Sequence, residues 1–201
     1  MKLYYAPRTR AGRPRWLLEE IGAPYEIVPV DLAKGEHKTA AHLKIHPHGA
    51  VPVFSDGELT MFESAAICAY LADKFPEKGL APAVGTVARG LYYQWMFYAM
   101  VTLEPPVLQV FLHTRMLPAA ERMPALVEQG TRKFAEVARV LEQALAGKPF
   151  ILGLQFSAAD VMLGATLIWA GAMGLLTDHP ELVKYCERLQ ERPAYQRSRA
   201  A

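Results

Sequence analysis

Two short stretches could do peptide-binding chemistry together: Ala50-Val51-Pro52-Val53 and, nine residues after Val53, Phe62-Glu63-Ser64. A proline entering a β-rich run cannot donate to a ladder, which assigns the segment to a sheet edge or a special turn. A cis Val51–Pro52 bond would leave the N–H and C=O of Val51 facing outward, where a peptide-like ligand can pair as an added strand. Ser64 opens a helical pattern, so first-turn N–H groups, the helix dipole and its own hydroxyl can meet a carboxylate. Glu63 supplies the opposite charge for an ammonium group. Together these residues suit the α-amino, α-carboxylate end of an amino acid or a γ-glutamyl peptide. The plainer alternative is a trans proline starting an ordinary edge strand, with Ser64 only capping its helix and Glu63 only offsetting the dipole.

Other reactive residue types carry less. Cys68 lies within a helical pattern and Cys186 on an apolar helical face, so both read as inert buried cysteines. Two cysteines make neither a disulfide framework nor a four-cysteine zinc site. His42, His46 and His48 stand in a loop with no nearby acid pair, a spacing that suits solvated or backbone-bonded histidines better than metal ligands. No metal site is expected, and no phosphate-binding loop is present.

The elements that must position these residues fall into two kinds. Up to residue 75 the order is β-α-β-loop-β-β-α: a strand at Lys2–Ala6, a helix at Arg13–Ile21 stopping at Gly22, and a strand at Tyr25–Val30. A hairpin at Val51–Phe54 and Glu58–Phe62 turns on Ser55-Asp56-Gly57, and a helix at Ser64–Phe75 carries Ile67, Leu71 and Phe75 on one face. The Pro/Gly-rich stretch Phe75–Thr86 reads as a linker. Beyond it the pattern is wholly helical: Leu91–Leu103, ending or kinking at Pro105-Pro106, then Ala125–Leu145, a central apolar helix capped by Ser157 and Asp160, and Glu181–Gln190.

The uncharged run Val161–Thr177 reaches the lower length limit of a membrane span, but its cap, its three glycines and its lack of aromatic or basic flanks predict a buried core helix. Of 201 residues, 22 are Lys or Arg and 20 are Asp or Glu, a net charge of +2 that gives no broad footprint for nucleic acid or an anionic membrane. The N-terminus has no secretory apolar run. With 52% hydrophobic residues, the chain reads as a soluble, cytoplasmic, globular protein.

At this point the motifs can be taken as a set. His46-Pro47-His48-Gly49-Ala50-Val51-Pro52-Val53-Phe54, then Phe62-Glu63-Ser64-Ala65-Ala66-Ile67, resemble the glutathione-binding half of cytosolic glutathione S-transferases. Met1–Pro7 with Arg15–Glu26 resembles bacterial members, Phe156–Val161 the family's helical capping motif, and Glu191–Arg197 its usual ending. The resemblance implies an α/β thioredoxin-like domain over 1–77, an all-α domain over 87–201, and a homodimer. The implied activity activates the thiol of glutathione and adds it to a small hydrophobic electrophile, a detoxification chemistry. A non-catalytic binding or assembly protein and a glutathione-dependent disulfide reductase remain as alternatives.

Carried over by residue, Ala50, Val51 and Pro52 would meet the cysteinyl unit, and Glu63 and Ser64 the γ-glutamyl end. Lys34 would lie near the glycyl carboxylate, with His37 and Lys38 as competitors. The catalytic position departs from familiar patterns, because the first loop, Ala6–Gly12, holds neither cysteine nor serine. A free thiol titrates near ~8.5, and one hydroxyl hydrogen bond near a helix N-terminus can stabilise the thiolate. Thr9 is the first choice as that donor, with Arg10 adding positive field and Tyr5 second. The electrophile pocket is expected between the two halves, with Tyr98, Thr102 and Glu104 as lining residues.

Overall fold

The computed structural model describes residues 1–200. Contacts divide them into two compact units, Met1–Ala81 joined by the tail from Glu191, and Pro82–Gln190. The first unit begins with β1 (Lys2–Tyr5), α1 (Gly12–Ile21) and β2 (Glu26–Pro29). A 3-10 turn at Glu36–Lys38 and the short α2 (Ala40–Leu43) lead to β3 (Val53–Asp56), β4 (Leu59–Phe62) and α3 (Ser64–Lys74). The sheet order is β2-β1-β3-β4, with β2 parallel to β1 and both other pairings antiparallel. Gly22, at φ 72°, ends α1 by returning its N–H to the Leu18 carbonyl, as the sequence predicts. The short α2 and the 3-10 turns at Glu36–Lys38 and Pro76–Lys78 lie outside the expected elements, since one turn is too short to show a helical period.

Alternation along the strands sorts the side chains onto two faces. Tyr4, Val53 and Phe62 form one cross-strand row, and Leu3, Phe54 and Met61 the other. The first row faces α2, where the ring of Tyr4 meets His42 edge-on. In the second row Phe54 meets Tyr70 of α3. Trp16, Leu17, Leu18, Ile67 and Leu71 from α1 and α3 are all within 1% of complete burial.

The tail forms α9 (Pro193–Arg199), which belongs to the first unit rather than to the helical one. The cause lies in two acids in the last turns of α1. Arg192 reaches both oxygens of Glu20 at 2.6 and 2.8 Å, and the indole N–H of Trp16 donates to the same carboxylate at 3.0 Å. Glu19 holds Arg197 at 2.8 Å, and Trp16 packs edge-on against Tyr195. The expected helical domain at 87–201 is therefore shorter at its C-terminal end. Partners 172 positions apart leave no local signal in the sequence.

The second unit consists of α4 (Val87–Tyr98), α5 (Glu104–Phe111), α6 (Pro124–Leu145), α7 (Ala158–Gly171) and α8 (Pro180–Gln190). Here Pro105-Pro106 neither ends nor sharply breaks the helix. The prolines sit in the first turn of α5, and π-helical turns at Ala99–Leu103 and Leu112–Met116 keep the run from Val87 to Met116 continuous. By length and composition this 30-residue run could cross a bilayer, yet Tyr92, Trp95, Leu103 and Val107 within it are core residues.

The α7 helix is buried over most of its length, and Asp160 is the polar group at its start. Its Oδ1 accepts from the Ile151 N–H at 2.8 Å and the Tyr185 hydroxyl at 2.7 Å. Its Oδ2 accepts from the N–H and hydroxyl of Ser157, both at 2.9 Å. Burial raises the carboxyl's proton affinity, opposed by these four donors. Asp160→Ala leaves all four without an acceptor and should cost roughly 3 kcal/mol or more. A urea midpoint that barely moves, at constant m-value, would contradict this. Arg192→Met should cost roughly 2 kcal/mol by removing the paired donors of Glu20, read in the same titration.

Candidate functional site

The candidate site lies along one end of the sheet, and strand register assembles it. Tyr4 pairs with Val53, and Val53 with Phe62. Next along each strand, at or just past its end, stand Tyr5, Pro52 and Glu63. Three strand ends thus contribute residues that belong to no single motif.

At the β4 end, Glu63 adopts φ 74° and ψ 109°. Glu63 and Arg8 (φ 58°), in the first loop, are the two non-glycine residues with positive φ among the described residues. Such backbone costs on the order of 1–3 kcal/mol and collects at functional sites. The turn at Glu63 launches α3, whose first N–H groups, those of Ser64, Ala65 and Ala66, have no backbone acceptor among the described residues. The guanidinium of Arg13, itself buried, donates to the Ser64 hydroxyl at 3.2 Å. Because that oxygen accepts from Arg13, its own proton is left to donate elsewhere. A helix N-terminus, a hydroxyl and a buried cation therefore converge, which is chemistry for a carboxylate. Sequence reasoning did not single out Arg13; its partner lies 51 residues away.

At the β3 end, the Val51–Pro52 bond is cis, and the ladder starts only at Val53. Neither backbone group of Val51 takes part in a backbone hydrogen bond among the described residues. The preceding carbonyl is held: His42 Nε2 lies 2.8 Å from Ala50 O. A carbonyl only accepts, so that nitrogen carries the proton.

Gly49, at φ 57°, has no room for a side chain, since a Cβ there would come within 2.6 Å of the His37 carbonyl and 2.9 Å of Lys38 Cδ. Lys38 runs along this segment and its Nζ donates to His48 O at 2.9 Å. Lys34, the first choice for this role, instead pairs with Asp31 at 3.3 Å in the exposed loop. The competitor Lys38 is thus the basic residue beside the Val51 segment.

In the first loop the Thr9 hydroxyl is engaged locally. The single proton of Thr9's hydroxyl goes to the Ala6 carbonyl at 2.7 Å, and the same oxygen accepts the Ala11 N–H at 3.2 Å. Thr9 ties its own loop closed and has no proton left for a sulfur atom. Arg10 is exposed on that loop. The Tyr5 ring lies beneath the Arg15 guanidinium, 4.8 Å from its carbon, and the phenol makes no hydrogen bond among the described residues.

Of the residues expected to line a pocket, Tyr98 turns its hydroxyl toward Val137 O of α6 at 3.4 Å, and burial raises its proton affinity. Glu104 is 5% exposed within the helical unit, and Thr102 is half-buried on the π turn. Cys68 and Cys186 are free and buried, and burial pushes both thiols up to about 12. No group of three or more His, Cys, Asp or Glu side chains that could hold a metal ion occurs among the described residues.

Comparison with known proteins accounts for this arrangement. Residues 1–73 match the glutathione S-transferase N-terminal domain and residues 124–188 the C-terminal domain. The chain is 33% identical to glutathione S-transferase F9 of Arabidopsis thaliana over 97% of its own length and 94% of that protein's. It is 30% identical to glutathione S-transferase 3 of Zea mays, covering 100% and 94%. Among solved structures, the ternary complex of BphK, a bacterial GST, aligns with TM-score 0.87 at 30% identity, covering 99% and 98% of the two chains. A sphingomonad glutathione S-transferase complexed with glutathione aligns at 0.86 with 29% identity, covering 99% and 97%. The thioredoxin-like sheet, the helical unit and full-length similarity agree: the chain belongs to the glutathione S-transferase family.

Proposed function

We propose that this protein binds glutathione along the sheet end and adds its thiolate to a small hydrophobic electrophile. The carrying observation is Ser64, held by the buried Arg13 at the open N-terminus of α3, beside the Glu63 turn. The γ-glutamyl carboxylate sits at Ser64 with Arg13 behind it, and the ammonium meets Glu63. Val51 pairs its backbone with the cysteinyl unit, between Ala50 and Pro52. The glycyl carboxylate is read by Lys38, with Lys34 the more distant cation. Calorimetric titration with glutathione tests this reading; no heat at millimolar ligand overturns it. Ser64→Ala and Glu63→Gln should each weaken binding about ten-fold or more, since each removes a charge-assisted hydrogen bond worth about 1.5–3 kcal/mol.

For thiol activation the loop geometry favours Tyr5 over Thr9, because the phenol proton is uncommitted and the Thr9 proton is not. Arg10 and the nearby N-terminus of α1 add positive field. Tyr5→Phe should lower kcat about ten-fold, equivalent to about 1.4 kcal/mol of thiolate stabilisation, with little change in KM for glutathione. Thr9→Ala should lower the unfolding midpoint more than it lowers kcat per folded enzyme. An unimpaired Tyr5→Phe enzyme reverses this assignment. Chemistry through an enzyme thiol, as in disulfide exchange, is disfavoured by the burial of both cysteines.

The protein acts as a homodimer in the cytoplasm. Val87, Leu91, Phe97 and Val101 project from one face of the α4 run, with Phe97 66% and Val101 69% exposed, an apolar stripe suited to a second copy. Two unpaired cysteines suit a reducing compartment. Phe97→Glu should shift sedimentation from dimer to monomer at micromolar concentration; an unchanged dimer would place the interface elsewhere.

A further inference from the structure

Beneath the site, on the α2 face of the sheet, lies a layer of histidines that the binding scheme does not use. The ring of His46 stacks on Phe62 with centroids 4.6 Å apart and planes at 29°. It lies nearly parallel to His42, 6.4 Å away, and edge-on to His48 at 6.2 Å. His42 in turn meets Tyr4 and holds the Ala50 carbonyl. The layer thus follows the row Tyr4–Val53–Phe62 and supports the residues that precede both Val51 and Glu63.

His46 is 6% exposed, and its Nδ1 is buried with no hydrogen-bond partner. Burial with no partner at Nδ1 disfavours the charged ring, opposed by Glu63 and by the residue's own backbone. The titratable groups acting on it are His42 from α2, His48 from the following loop and Glu63 from the end of β4. We propose that His46 is a positioning residue of the γ-glutamyl site and couples it to pH: the neutral ring on Phe62 supports the Glu63 turn, and protonating it weakens glutathione binding.

The sign follows from charge. Burial, then the charges of His42 and His48, hold His46 below the usual histidine range, and Glu63 pulls the other way. A ligand ammonium at Glu63 cancels that pull, so binding lowers the proton affinity of His46 further. By reciprocity, a proton on His46 lowers ligand affinity as pH falls through its titration.

This inference rests on the glutathione reading, and the test separates the two. S-methylglutathione, which has no thiol to titrate, is bound to the full-length protein in a calorimeter at pH 7.5 and 5.5. The wild type should bind about three-fold or more weakly at the lower pH. His46→Phe, which keeps the stack and cannot take a proton, should lose most of that pH dependence. His46→Ala should bind at least about five-fold more weakly at both pH values. In the wild type, the NMR titration of the His46 ring should move to lower pH on saturation with the ligand, a readout that needs no variant to fold. An unchanged pH slope in His46→Phe, or an unmoved His46 titration, overturns the proposal alone. A wild type that binds nothing at pH 7.5 overturns the glutathione reading and this proposal with it.

Discussion

The register of the three strands β1, β3 and β4 is the constraint on which the site depends. Pairing Tyr4 with Val53 and Val53 with Phe62 fixes the sheet end at which Tyr5, Pro52 and Glu63 follow in the chain. A slip of one residue would turn each side chain to the opposite face. Such a slip would place Tyr4 and Phe62 among α1 and α3, and Leu3 and Phe54 against the histidine layer. The burial of Leu3, Phe54, Ile67 and Leu71 opposes it strongly, so the hydrophobic core that stabilises the unit also aligns the candidate site.

Two kinds of support act on that sheet end. From the α1 and α3 side, Arg13 links the helices to Ser64, and α9 is fastened along α1 by Glu19 and Glu20. From the α2 side, His42 and His46 back the Ala50 carbonyl and Phe62. The Val51 backbone and the first turn of α3 are thus left with spare donors and acceptors, while Arg13 and His42 beside them are engaged. That is how a site stays open within a packed unit: the backbone of Val51 and the first turn of α3 remain unsatisfied because the elements around them satisfy one another.

The helical unit follows a separate logic. Asp160 gathers four donors from the Ile151 segment, Ser157 and Tyr185 at the start of a helix with almost no polar face. A buried carboxylate is costly unless its lone pairs are filled, and here they are. Its role is architectural, as the Ser157–Asp160 pattern in the sequence indicates.

Local chemistry was legible in the sequence wherever neighbours in the chain act on one another. The Ser157–Asp160 cap, the stop at Gly22, the hairpin at Gly57, the Val51-Pro52 turn and the Glu63-Ser64 helix start all depend on residues within a few positions. Their types alone restricted the backbone. The tertiary structure decided what distance along the chain concealed. It bound Arg13 to Ser64, carried the tail back onto α1, chose Lys38 over Lys34 beside the Val51 segment, and gave the Thr9 proton to the Ala6 carbonyl. Each of these is a choice among hydrogen-bond partners that residue type permits equally. Such choices are made by which groups the packed core brings within about 3 Å and which it leaves to solvent.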